Sequence, residues 1–89
     1  MSYFVTQVEK LFKNKDTTIY LGTGEVFYNI DKDMVDRIYY DRKTRTVQVE
    51  INDGIRPFYL EIESVYKKPT DTHNWLKFAD DDSDYYIKG

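Results

Sequence analysis

Val47-Gln48-Val49-Glu50-Ile51-Asn52-Asp53-Gly54-Ile55-Arg56-Pro57-Phe58-Tyr59-Leu60 is the stretch that decides the fold. Apolar and polar residues alternate on both sides of Asp53-Gly54, the period of a β-strand with one buried face. Asp-Gly between two such runs signals a hairpin. A two-residue type I′ loop there sets Asn52 against Ile55, Val49 against Phe58 and Val47 against Leu60. Both apolar pairs then share one face, while Gln48, Glu50, Tyr59, Glu61 and Glu63 take the other. A three-residue loop would oppose apolar to polar, because a slip of one residue inverts every side chain. The two-residue loop is the predicted one. Pro57 removes a ladder donor, which predicts an edge strand or a bulge at that point.

Carried upstream across residues 41–44, the same register puts Ile38 beside Val47 and Met34 beside Ile51, and turns Asp36 inward. A buried, unpaired carboxylate is costly, so Asp36 is expected beyond the edge of the core. Residues 34–40, 45–51 and 55–66 thus form an antiparallel meander. Before it, residues 2–14 read as an amphipathic helix. Phe4, Val5, Val8, Leu11 and Phe12 share one face, with Glu9, Lys10 and Lys13 on the other. Ser2 is the expected N-cap, since its hydroxyl can accept from an unpaired first-turn N–H. Asn14-Lys15-Asp16 ends the helix. Residues 17–21 are β-branched and aromatic, Gly22-Thr23-Gly24 is a permissive turn, and residues 25–30 return as a second strand.

After Tyr66 the pattern weakens. Lys67-Lys68-Pro69-Thr70-Asp71 is a loop, and Trp75, Leu76 and Phe78 re-enter the core or cap it. Tyr85-Tyr86-Ile87 has the pattern of a short final strand, which would make the aspartates before it a hairpin loop. The expected fold is α+β: one N-terminal helix packed on a five- or six-stranded antiparallel sheet, a single domain over residues 1–89. A small SH3-like β-barrel is the alternative closure of the same strands.

A chain of 89 residues buries only about 60–65% of its unfolded surface, so large rings matter to its core. Nine of the fifteen aromatic residues are tyrosines, and some must reach the surface, where they make good contact residues. The absence of cysteine excludes a disulfide scaffold, thiolate metal sites and a cysteine nucleophile. Gln7, Glu9, Lys10 and Lys13 interrupt any leader-like apolar run, and no segment approaches the roughly 18–20 apolar residues of a membrane span. A cytoplasmic protein is expected.

The net charge of −3 has one origin. Acids and bases cancel through Thr70, and residues 71–89 then carry five aspartates against two lysines. Four of the five stand in Asp80-Asp81-Asp82-Ser83-Asp84, directly before Tyr85 and Tyr86. Catalysis has little to work with. His73, the only histidine, lies in a polar loop with no recognisable nucleophile–base spacing to Ser64 or Ser83. Gly22-Thr23-Gly24 lacks the third glycine and following helix of a phosphate loop. Asp80, Asp82 and Asp84 alternate like the first ligands of a calcium loop, yet Tyr85 stands where the glycine is needed and no glutamate closes the loop. No enzyme, metal or cofactor is expected.

A run of charge is ordinarily a solvated loop, and here that reading competes with an interface. Flanking rings anchor the run, and the solvent face of the long hairpin adds further acids. Asp80, Asp81, Asp82, Asp84, Tyr85, Tyr86, Tyr59, Glu61 and Glu63 are therefore the candidate partner-binding residues, suited to an Arg/Lys-rich cleft. Arg42, Lys43 and Arg45 sit in a turn beside Asp41 without a row of further cations, so direct nucleic-acid binding is not expected.

The passage Lys13-Asn14-Lys15-Asp16-Thr17-Thr18-Ile19-Tyr20-Leu21-Gly22, leading from an amphipathic helix into a strand, resembles that of the small acidic anti-CRISPR proteins of phages. The match covers those ten positions; a compact antiparallel sheet and a late aspartate-rich stretch extend the likeness. The resemblance implies a non-enzymatic DNA mimic that inhibits a type II CRISPR effector nuclease by filling a basic nucleic-acid-binding groove with carboxylates. The alternative reading is a structural or assembly module, homodimeric or not, whose sheet edge or tyrosine face makes the contact.

Overall fold

A helical period at the front of the chain and a two-residue period after it produce one helix and seven strands. The computed structural model describes residues 3–88, so the Ser2 cap lies outside the described residues. Helix α1 spans Tyr3–Lys13. The strands are β1 (Thr17–Leu21), β2 (Val26–Ile30), β3 (Val35–Asp41), β4 (Thr46–Asn52), β5 (Pro57–Tyr66), β6 (Asn74–Phe78) and β7 (Tyr85–Lys88). A 3₁₀ turn at Lys32–Met34 links β2 to β3. All seven strands form one antiparallel sheet in the order β2-β1-β7-β6-β5-β4-β3.

The α+β class with an N-terminal helix stands, and the strand number is corrected from five or six to seven. The unexpected strand is β6. Its adjacent Trp75 and Leu76 break the apolar alternation, because both faces of the sheet are covered there. Leu76 enters the core, and Trp75 is buried on the opposite face.

The deciding hairpin keeps its faces and changes its register. Asn52 pairs with Pro57, Ile51 with Phe58, Val49 with Leu60 and Val47 with Ile62. The loop is thus four residues, Asp53-Gly54-Ile55-Arg56, and only Gly54 of these has positive φ, whereas a type I′ turn needs two such residues. Side chains satisfy the wider loop: Asp53 Oδ1 accepts the N–H of Ile55 and Arg56, and Asn52 Oδ1 that of Gly54. Pro57 becomes the first residue of its strand, a position where its missing donor does little harm. A shift of two residues preserves parity, which is why Val47, Val49, Ile51 and Ile62 are all buried. Gln48, on the other face, is buried too, and its amide donates to Thr46 Oγ1 at 2.7 Å.

The same two-residue correction runs into β3, where Ile38 pairs with Val49 instead of Val47. Val35, not Met34, meets Ile51, and a bulge between Val35 and Arg37 leaves Asp36 exposed at the edge of the sheet. The carboxylate lies outside the core, as its desolvation cost requires.

The short connection from β2 to β3 bends the whole sheet. Laid flat, seven strands would hold these two edges about 29 Å apart. The five Cα steps from Ile30 to Val35 can span at most about 18 Å. The sheet therefore curls into a half-barrel. Across the curl, the Tyr28 hydroxyl lies 3.4 Å from Asp53 Oδ2 at the hairpin tip, and its ring is 5.4 Å from that of Phe58. α1 packs against β3, β4 and β5, contributing buried Val5, Val8 and Phe12 to a core shared with Ile19, Ile30, Ile38, Leu76 and Ile87. The Thr17 hydroxyl donates to the Leu11 carbonyl at 2.5 Å, satisfying one of the otherwise orphaned acceptors of the last helical turn. Strand β7 joins two parts of the sheet, pairing with β1 on one side and β6 on the other. No helix among the described residues is long and apolar enough to cross a membrane.

Candidate functional site

The aspartate run is a hairpin loop between β6 and β7, and its four acids have different tasks. Asp81 Oδ1 accepts the Ser83 N–H at 2.9 Å, and Oδ2 accepts the Tyr85 hydroxyl at 2.7 Å. Asp84 accepts the Tyr66 hydroxyl at 3.0 Å and Lys68 Nζ at 3.3 Å. Its carbonyl receives the Gly22 N–H, and the Ala79 N–H donates to the Glu61 carbonyl, so both loop ends are tied down. Asp80 takes a φ of 60°, a left-handed conformation that aspartate tolerates better than most residues. Asp80 and Asp82 are exposed. Asp81 and Asp84 build the loop, although Asp84 is exposed as well.

The curl gathers some of the expected contact residues and separates others. Asp80, Asp81, Glu61 and Tyr59 line one open groove of about 490 Å³, together with Phe27, Leu60, Phe78 and Ala79. Tyr59 is 59% exposed and Phe27 43% exposed, while Phe27 also leans on Tyr85 and Phe78 at centroid distances of 4.7 and 6.3 Å. Asp82, Asp84, Tyr86 and Glu63 lie outside this groove's lining. Tyr85 requires a correction as a contact residue. It is 3% exposed, because strand alternation turns it into the core and its neighbour Tyr86 outward.

Among the described residues, three acids outside the groove are held by a lysine or arginine, and none of those lining it is. Glu50 is paired with Arg37 at 2.9 Å, Glu63 with Lys77 at 3.4 Å and Asp84 with Lys68 at 3.3 Å. Glu61, Asp80 and Asp81 line the groove without a lysine or arginine among its lining residues. Phe27 was not among the sequence candidates. Its strand is bulged against β1, so counting positions along β2 does not show that its ring covers the groove.

The outer face carries a feature that sequence reading did not assemble. Tyr20 pairs across strands with Tyr86, Tyr86 with Trp75, and Trp75 with Tyr66. Their rings follow one another at 5.2, 4.9 and 6.5 Å, a ladder of aromatic pairs running over four strands. Lys68 Nζ lies 3.6 Å from the Trp75 ring centroid and Lys88 Nζ 5.2 Å from that of Tyr20. The Trp75 indole N–H reaches both Asp71 oxygens, at 3.0 and 3.1 Å. His73 belongs to this packing: its ring is 4.7 Å from Tyr86 and its Nδ1 3.8 Å from Asp71 Oδ1. The sequence pattern assigns none of these four rings to the outer face, and only the three registers together line them up.

These contacts hold several carboxyls below their ordinary range. Asp71 is lowered chiefly by the Trp75 N–H, Asp81 by the Ser83 backbone N–H and then the Tyr85 hydroxyl, and Asp84 by the Tyr66 hydroxyl and then Lys68. Burial, followed by the same carboxylates, raises Tyr66 and Tyr85. A depressed folded-state pKa contributes stability above the unfolded value, near about 4, and loses it as pH falls through the folded value. Raised phenols contribute below about 10 and lose that contribution as pH climbs past it. The melting temperature is thus expected to fall on acidification below about pH 4 and again above about pH 10. In Asp71→Asn/Asp81→Asn/Asp84→Asn the acid limb should flatten; an unchanged acid limb would show that these contacts contribute nothing.

Among the described residues no group of three or more His, Cys, Asp or Glu side chains could hold a metal ion, so Asp80, Asp82 and Asp84 do not converge into a cage. Arg42, Lys43 and Arg45 are exposed in the β3–β4 turn, where Asp41 Oδ1 accepts the Lys43 and Thr44 N–H groups. No family model, curated protein or solved structure matches this chain.

Proposed function

We propose that this is a non-catalytic binding protein whose groove seats a basic surface of a larger protein. The observation that carries this reading is the uncompensated charge of the groove: Glu61, Asp80 and Asp81 beside exposed Phe27 and Tyr59, with no cation among the lining residues. Carboxylates pair bidentately with arginine, and aromatic faces accept its flat guanidinium. A surface that presents several such cations commonly serves nucleic-acid phosphates, so occupying it would make the protein an inhibitor of a nucleic-acid-binding partner. The likeness of residues 13–22 to the acidic anti-CRISPR proteins supports a phage inhibitor and makes a type II CRISPR effector nuclease the first partner to try. The acidic chain itself is not proposed to bind nucleic acid.

The test uses Glu61→Gln/Asp80→Asn, which removes groove charge while sparing the Asp81 and Asp84 contacts that build the loop. Binding isotherms would be measured against guide-loaded effector nuclease and against proteins captured from host lysate. Affinity should drop at least about tenfold, and the parent's affinity should fall steeply with added salt, because exposed charges are screened beyond about a Debye length. An affinity indifferent to both the substitutions and salt would transfer the case to the assembly module, acting through its tyrosine face.

A further inference from the structure

The sheet leaves two edges open, and one carries a self-complementary pattern. β3 has β4 on one side and no strand on the other among the described residues. The bulge at Asp36 disturbs one end of the strand, but residues 37–41 keep an unbroken register with β4. Along Asp36-Arg37-Ile38-Tyr39-Tyr40-Asp41-Arg42 the charges are antisymmetric about Tyr39.

We infer that β3 pairs with β3 of a second copy, antiparallel and centred on Tyr39. In that register Arg37 meets Asp41 of the second copy, Ile38 meets Tyr40, and Tyr39 meets its own equivalent across the two-fold axis. Side chains two apart share a face, so the match holds on both surfaces of the joined sheet. Arg37, Tyr39 and Asp41 fall on the outer face, and Ile38 and Tyr40 on the inner. Tyr40 is 37% exposed and gains an apolar neighbour. Opposite charges placed across from one another stabilise such pairs, and like charges oppose them. The stretch is neutral as a whole, so the acidic character of the chain does not resist this contact. β2, the other edge, offers no charges to set a register: Val26-Phe27-Tyr28-Asn29-Ile30 is uncharged. None of residues 35–41 lines the acidic groove, so the inference stands apart from the proposed function.

Sedimentation equilibrium over a rising concentration series should show the unaltered chain shifting from the monomer mass towards twice that mass. Arg37→Glu alone sets acid against Asp41 of the second copy, and Asp41→Arg alone sets base against Arg37. Each variant should therefore stay monomeric at concentrations where the parent pairs. An equimolar mixture of the two restores opposite charges at both ends and should pair again, which a misfolded variant would not do. Because the chain has no cysteine, Tyr39→Cys supplies a clean second readout. Directly opposed antiparallel residues lie about 4.5–5.5 Å apart at Cα, within disulfide reach. Mild oxidation should link Tyr39→Cys into covalent dimers and leave Asn29→Cys, on the other edge, largely monomeric. A parent that remains monomeric throughout, a mixture that fails to pair, or equal linking at both positions would each overturn the inference.

Discussion

Phe12→Ala is expected to destabilise the fold by about 3–5 kcal/mol. Phe12 is fully buried, and α1 lies against β3, β4 and β5 inside the half-barrel. The substitution removes a large ring from the middle of that contact and leaves a space that a curled sheet cannot collapse around. A domain of this size has about 5–15 kcal/mol of total stability. The melting temperature should accordingly fall by roughly 15 °C or more, read by calorimetry. Phe4→Ala, at a half-buried position on the same helix, should cost clearly less. Equal losses at the two positions would mean that the helix does not sit in the core as described.

Trp75→Ala should cost a similar amount, about 3–5 kcal/mol, although its ring is on the outer face of the sheet. The ring is 6% exposed, sits between Tyr66 and Tyr86, and lies under the Lys68 ammonium. Its removal would break the ladder in the middle and open β6 to water on that side. Trp75→Phe separates packing from hydrogen bonding, since it keeps a ring and deletes the indole N–H that Asp71 accepts. The phenylalanine variant should lose much less, because Asp71 lies partly in water and can be rehydrated. Urea melts of the two variants decide the matter. Matching losses would assign the stability to the Asp71 contact and not to the packed rings.

Face assignments were legible in the sequence and distances along strands were not. Val47, Val49, Ile51, Phe58 and Leu60 declare one face by alternation, and a register error of two residues leaves that declaration untouched. The loop length depended on Asp53 and Asn52 supplying side-chain acceptors, which Asp-Gly alone does not reveal. Strand β6 escaped notice because adjacent Trp75 and Leu76 are buried on opposite faces, the pattern of a strand covered on both sides. Part of the candidate site was readable: Asp80, Asp81, Tyr59 and Glu61 meet in one groove. Phe27 could not be placed without the curl, and Tyr85 could not be assigned inward until the start of β7 was known.

The placement of β7 has a kinetic consequence. It is the seventh strand in chain order, yet it stands third in the sheet, joining the β1–β2 hairpin to the β3–β6 meander. Until residues 85–88 have been synthesised, those two pieces share no strand pairing, and each presents an unpaired edge where β7 belongs. Closing Ile19 onto Ile87 brings together distant parts of the chain, a step whose entropy must be spent before its contacts form. Nascent chains halted before Tyr85 should therefore be sensitive to proteases and prone to join through those edges. Cooperative resistance would arrive abruptly with the last strand, and would not accumulate strand by strand.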